Sequence, residues 1–242
     1  MNQEPNDLAF AACQNCGQQF TYEPIWFNGH DLAKCLHLWC SPCGVAVEEQ
    51  CRLDRIAERK ARIEAEICQQ IPPDLLATDP RYPSFNQALW SAVSKWRPNE
   101  REGWLGIVGA AGKSKTRCMA LLAQRAMRNG IRCTWTTANR LKDASADRSH
   151  RERSISILAR EHLAECLTAP WLFLDDLGKN EWTPAFESQF FQILDHRKNH
   201  RLPIVFSSNA HPEAFSQLIS GLNASPIIGR LLDRTTLLDL LA

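Results

Sequence analysis

Trp104-Leu105-Gly106-Ile107-Val108-Gly109-Ala110-Ala111-Gly112-Lys113-Ser114-Lys115-Thr116 reads as a buried strand, a small-residue loop and the opening of a helix. That succession is what a phosphate-binding loop requires. Glycines let the backbone turn tightly so that its N–H groups surround the phosphates, the helix N-terminus adds its dipole, and a lysine reaches the terminal oxygens. Two registers are open. With Lys113-Ser114 as the closing pair, the opening glycine position falls on Ile107. With Lys115-Thr116 it falls on Gly109, directly after the strand, and Ser114 takes the second glycine position. The second register is preferred, because it starts the loop where the strand stops and leaves Thr116 to offer its hydroxyl to Mg²⁺. Gly109, Ala110, Ala111, Gly112, Lys113, Ser114, Lys115, Thr116 and Arg117 then form the candidate ATP-binding loop. Ser114 departs from the pattern, since a side chain there crowds the close backbone approach that glycine permits. The bland alternative is a turn between a core strand and a core helix.

A second motif weighs against that alternative. Pro170-Trp-Leu-Phe-Leu174-Asp175-Asp176-Leu-Gly178 is an apolar run ending in two carboxylates and a glycine. Consecutive apolar residues suit a parallel strand buried on both faces, and an open α/β sheet binds ligands at the carboxyl ends of its strands. Asp175 is the candidate Mg²⁺ ligand and Asp176 the candidate group that polarises an attacking water. Pro203-Ile-Val-Phe206-Ser207-Ser208-Asn209 is another buried strand with a polar tip. Asn209 is the candidate to position that water, against the ordinary reading of a turn-capping asparagine. Pro226-Ile-Ile-Gly229-Arg230-Leu-Leu sets an arginine in an apolar run, where it is costly without a partner. At a subunit edge it can act on a neighbour's nucleotide, with Arg197 and Arg234 as weaker candidates.

The 242 residues are 44% hydrophobic with a net charge of +1. This is an ordinary globular balance with no overall bias toward nucleic acid, so any polyanion site must come from local clustering. Residues 139–153 supply one such cluster. Lys142, Arg148, Arg151 and Arg153 are candidate single-stranded DNA contacts there, although a solvated connection reads equally well. No signal pattern or membrane-length apolar run is visible, so a soluble, cytoplasmic protein is expected.

Four of the ten cysteines form two Cys-x-x-Cys pairs, Cys13/Cys16 and Cys40/Cys43, each followed by a glycine, Gly17 and Gly44. Two such knuckles point to a tetrahedral structural zinc site, with redox cysteines or core cysteines as the alternatives. Cys35 and His37 are competing ligands. A module this short builds little core, so the metal itself would hold it. Trp26, Phe27 and Trp39 are either its small core or an exposed binding face. The expected organisation is a zinc-binding module over 1–46, a helix and linker over 47–80 that is broken at Ile71-Pro-Pro, and a nucleotide-binding domain over 81–242.

Gly109-x-x-Gly-x-Ser-Lys-Thr-Arg117, Phe-Leu-Asp-Asp-Leu-Gly-Lys179, Ser-Ser-Asn209 and Ile-Ile-Gly-Arg230-Leu resemble the AAA+ ATPases of the DnaC/DnaI helicase-loader type, over about residues 71–242. The resemblance implies an α/β P-loop AAA+ domain with a parallel sheet flanked by helices, and ATP or ADP with Mg²⁺ at a subunit interface. It assigns Asn209 to sensor 1 and Arg230 to a trans-acting arginine. It places residues 139–153 where loaders carry a single-strand-binding insertion, and the Zn²⁺ module where they grip a DnaB-like replicative helicase. Expected partners are therefore a hexameric helicase, single-stranded DNA and further copies of the chain. A transposition helper of the IstB type shares these motifs, and a zinc-stapled adaptor that binds nucleotide without hydrolysis is the alternative from another class.

Overall fold

The computed structural model describes residues 8–27, 30–35, 38–98, 103–179, 181–219 and 224–240. The chain divides into two compact units, Met1–Arg62 and Ile63–Ala242. In the first, β1 (Ala9–Ala12) pairs antiparallel with β2 (Gln19–Tyr22), and β3 (Trp26–Phe27) with β4 (His30–Asp31). Asp31 ties the loops together: its carboxylate accepts from the Tyr22 hydroxyl at 2.5 Å and from the N–H groups of Ile25 and Ala33 at 3.1 and 3.0 Å. Only Cys13, Ala33 and Cys40 are buried among the described residues of this unit. Burial on that scale cannot offset chain entropy.

Helix α1 (Ser41–Gln70) starts inside the second knuckle. Gly44 therefore lies in its first turn, donating its N–H to Cys40 at 2.8 Å, and not at a turn of its own; Gly17, at φ 74°, does occupy one.

The second unit is built on five parallel strands in the order β6-β7-β8-β5-β9: β5 (Trp104–Gly109), β6 (Cys133–Thr137), β7 (Trp171–Leu177), β8 (Ile204–Ser208) and β9 (Thr235–Leu240). Side chains alternate across the sheet, as a pleated strand requires. Leu172, Leu174 and Phe206 join one buried layer with α5 (Ala138–Asp147), α6 (Arg153–Thr168), α7 (Pro184–Asn199) and α8 (Ala224–Asp233). Leu105, Ile107, Phe173 and Val205 join the other, with α3 (Gln87–Lys95) and α4 (Lys115–Arg128).

Three stretches do more in the structure than their composition announces. The stretch read as helix and linker contributes Ile67, Ile71 and Leu75 to the second unit's core, the last from the short helix α2 (Pro73–Leu76). The basic stretch 139–153 is largely helix α5, capped by Thr137, whose hydroxyl accepts the Arg140 N–H at 3.1 Å; its low apolar content hides a face of Leu141, Ala144 and Ser145. The apolar run ending near Arg230 is followed by β9, which pairs with β5 along its whole length.

At the far edge of the sheet, Gln70 turns its side-chain carbonyl onto the Trp135 N–H of β6 at 3.2 Å. No helix among the described residues is long and apolar enough to cross a membrane.

Candidate functional site

Strand β5 ends at Gly109 and α4 opens with Lys115-Thr116, so Ala110–Ser114 form the loop between them. Gly112 takes φ 79° and Ser114 φ 64°, both in the left-handed region. Glycine adopts that region freely, whereas a serine there costs on the order of 1 kcal/mol. Lys115 is buried, and its ammonium donates to the carbonyls of Gly109 (2.7 Å) and Ala110 (2.9 Å) and to Asn209 Oδ1 (2.9 Å). Burial lowers its pKa, and the charges of Asp176 and Asp175 oppose that fall. Lys113, the competing lysine of the other register, is exposed on the loop.

Thr116 donates its hydroxyl to Asp175 Oδ1 at 2.9 Å, and Ser207 donates to the same oxygen. Burial raises the Asp175 pKa, and those two hydroxyls counteract it. The N–H of Asp176 donates to Ser207 Oγ at 3.1 Å, Asp176 itself sits at φ 58°, and its carboxylate meets Lys179 at 3.2 Å. Ser207 thus holds the Asp175 carboxylate and the Asp176 main chain. Sequence reasoning missed it because its contacts depend on the irregular pairing of β7 with β8 between Leu174 and Leu177.

Gly112, Lys113, Ser114, Lys115, Thr116, Asp176 and Asn209 line one cleft of about 440 Å³, within the range of small-molecule sites. Asp74, Ser84 and Arg117 line it too, and all three also line an adjoining hollow of about 270 Å³ whose other walls include Thr78, Asp79 and Tyr82. The lead-in segment 74–84 is therefore a wall of the site, a role its linker-like composition conceals.

The remaining candidates lie apart from this cleft's lining. Arg230, on α8, donates through Nε and Nη2 to Asp195 Oδ1 at 3.0 and 2.7 Å and stacks over the Phe191 ring at 4.2 Å. That partner answers the cost of an arginine in an apolar run. Arg197 is fully buried and donates to the carbonyls of Cys166, Ala169 and Pro203. Burial brings it down to about 10, and its guanidinium ties the end of α6 to the start of β8. Arg234 donates to the Lys198 carbonyl at 3.2 Å. Of the basic set, Lys142 is half-buried on α5, while Arg148, Arg151 and Arg153 are exposed about the α5–α6 turn; Arg148 also donates to Gln189 at 3.1 Å.

In the first unit, the Sγ atoms of Cys13, Cys16, Cys40 and Cys43 all lie within 4.8 Å of one another, with Cys16 and Cys40 3.7 Å apart. A tetrahedral Zn²⁺ with bonds of about 2.3 Å sets its sulfurs roughly 3.8 Å apart, so the four thiols fit that ion. Burial resists ionisation of Cys13, yet the N–H groups of Cys16, Cys40 and Asn15 bring it down to about 6, while the neighbouring thiols hold Cys40 and Cys43 up. His37 and the side chains of Cys35 and Trp26 lie outside the described residues. Phe27 is exposed and Trp39 half-buried.

A family model described as IstB-like ATP binding protein matches residues 96–240, more than half of the chain. No curated protein matches it. Among solved structures, the chain is similar to DnaI at 20% identity, covering 72% of this chain and 92% of that one with a TM-score of 0.54. It is similar to the DnaC helicase loader at 20% identity, covering 71% and 97% with a TM-score of 0.51. AMPPCP-bound DnaA from Aquifex aeolicus matches at 18% identity and TM-score 0.50, over 64% of this chain; the chain spans only about half of that protein, 47%. At such identities the likeness speaks for the fold alone, a parallel sheet between helices in the AAA+ P-loop manner.

Proposed function

The chain belongs to the IstB-like ATP-binding protein family, and from that premise we propose that it is an ATP-hydrolysing loader that delivers a replicative DNA helicase to single-stranded DNA. One observation carries the reading. Lys115 and Thr116 from the helix start, Asp175 and Asp176 from the end of β7 and Asn209 from beyond β8 meet at the carboxyl edge of one parallel sheet. In this reading, the amides of residues 110–116 surround the triphosphate. Lys115 exchanges its carbonyl partners for β- and γ-phosphate oxygens. Thr116 and Asp175 hold the Mg²⁺, which supplies charge neutralisation at the phosphates. Asp176 and Asn209 orient the attacking water, and the hollow walled by Thr78, Asp79 and Tyr82 takes the nucleoside.

The DNA-facing part rests on Lys142, Arg148, Arg151 and Arg153, and self-association rests on Arg230 reaching a neighbour's nucleotide after leaving Asp195. The zinc-held unit is the proposed grip on the helicase. The family match also favours a second reading, an IstB-type helper whose client is a transposase. Phosphate release from ATP, measured with and without single-stranded DNA, tests the ATPase. Stimulation by DNA is expected, and no turnover under any condition returns the chain to a nucleotide-binding adaptor. Co-elution with a hexameric DnaB-like helicase in the presence of ATP supports the loader; co-elution with a transposase instead supports the helper.

A further inference from the structure

We infer that Ser114 is a positioning residue that latches the phosphate loop to the wall of the nucleoside hollow, an inference that rests on the nucleotide-binding reading above. Ser114 occupies the loop position where the left-handed backbone favours glycine, at φ 64°. A side chain held there at a cost has a compensating contact. The Ser114 hydroxyl oxygen accepts the backbone N–H of Asn86 at 3.3 Å, twenty-eight residues upstream. Asn86 is itself fixed, since its side chain caps α3 by accepting the Leu89 N–H at 3.0 Å. The chain entering Asn86 runs through Tyr82 and Ser84, and Phe85, next to Asn86, is buried in the core. Ser84 lines both the phosphate cleft and the adjoining hollow.

The contact therefore joins two elements that touch different parts of one ligand. The loop meets the phosphates, and the wall meets the base and ribose. A glycine at 114 would relax the backbone but offer no acceptor to Asn86. With Ser114 in place, a triphosphate seated in the loop finds the nucleoside wall already registered against it, so the cost of ordering that wall is met before binding. Inorganic tripolyphosphate touches the loop and gains nothing from the wall.

The test compares binding of Mg·ATP and Mg·tripolyphosphate by calorimetry to the full chain and to Ser114→Ala and Ser114→Gly. Alanine removes the hydroxyl and keeps the backbone strain; glycine removes both. The expected result is that both variants lose affinity for ATP by about fivefold more than for tripolyphosphate, the size of one net hydrogen bond. Equal changes for the two ligands, or none, overturn the latch while leaving the nucleotide site standing. A native chain that binds neither ligand overturns the phosphate-loop reading, and this inference with it.

Discussion

Lys115 holds the carbonyls of Gly109 and Ala110 and the side chain of Asn209 with a single ammonium, so its removal empties the loop of its one buried cation. Lys115→Ala should weaken ATP binding by roughly a hundredfold, while Lys113→Ala, at an exposed loop position, should cost far less; a fluorescent nucleotide titration measures both. That Lys115 opens the helix while Lys113 stays on the loop was legible in the chain, because strand, glycine and helix succeed one another in order. Ser207 was not, because a serine inside a buried strand carries no local sign of what lies across from it. His162 is similarly silent in the sequence. Its Nε2 lies 2.9 Å from the Thr136 hydroxyl and 3.7 Å from Cys166 Sγ, and burial, with the charge of Arg140, lowers its pKa to about 4. The unfolded chain takes up a proton near pH 6.5 and the folded one only near 4, so stability falls as pH drops through that window. Urea midpoints at pH 7.5 and 5 should show the fall, and His162→Gln should flatten it.

Strand β7 and the helices packed beside it show what one position can do to a whole element. Gly178, just past Leu177, has φ 81°, and a Cβ there would come within 2.3 Å of the Phe215 ring. Gly178→Ala should destabilise the second unit by roughly 1–3 kcal/mol in chemical denaturation, and displace the carboxylates at the strand end with it. Arg230 anchors α8 to α7 through Asp195, with both side chains partly exposed. Arg230→Ala should therefore cost no more than about 1 kcal/mol of stability. If it also reaches a neighbour's nucleotide, turnover drops several-fold at unchanged ATP affinity; a large loss of affinity instead places it in its own chain's site. Strongly apolar strands such as β5, β7 and β8 announced themselves by composition. β9 did not, because Thr-Thr-Leu-Leu-Asp-Leu mixes polar residues with its leucines, as suits a half-exposed edge strand. Helix α5 did not either, because Arg140, Lys142, Asp143 and Asp147 outnumber the large apolar residues of its buried face, which has only Leu141.

Taken whole, the molecule joins a unit with almost no buried apolar side chains to one with two full layers. The first should depend on its four thiols. Chelation is expected to release one zinc ion per chain and unfold Met1–Arg62 while Ile63–Ala242 keeps its transition; metal analysis with calorimetry checks this, and a chain that holds no zinc ends the claim. The paired Cys-x-x-Cys spacing made the cluster legible, whereas the division between the units at Arg62 and Ile63 was hidden inside an unbroken charged helix. In the sheet, Gln70 occupies a main-chain donor of the outermost strand with its side chain. An open β border is a template on which another molecule's strand can grow, and occupying its donors blunts that tendency. Gln70 thus acts as a guard against clumping, and Gln70→Ala should leave a protein that still folds but becomes turbid as its concentration rises.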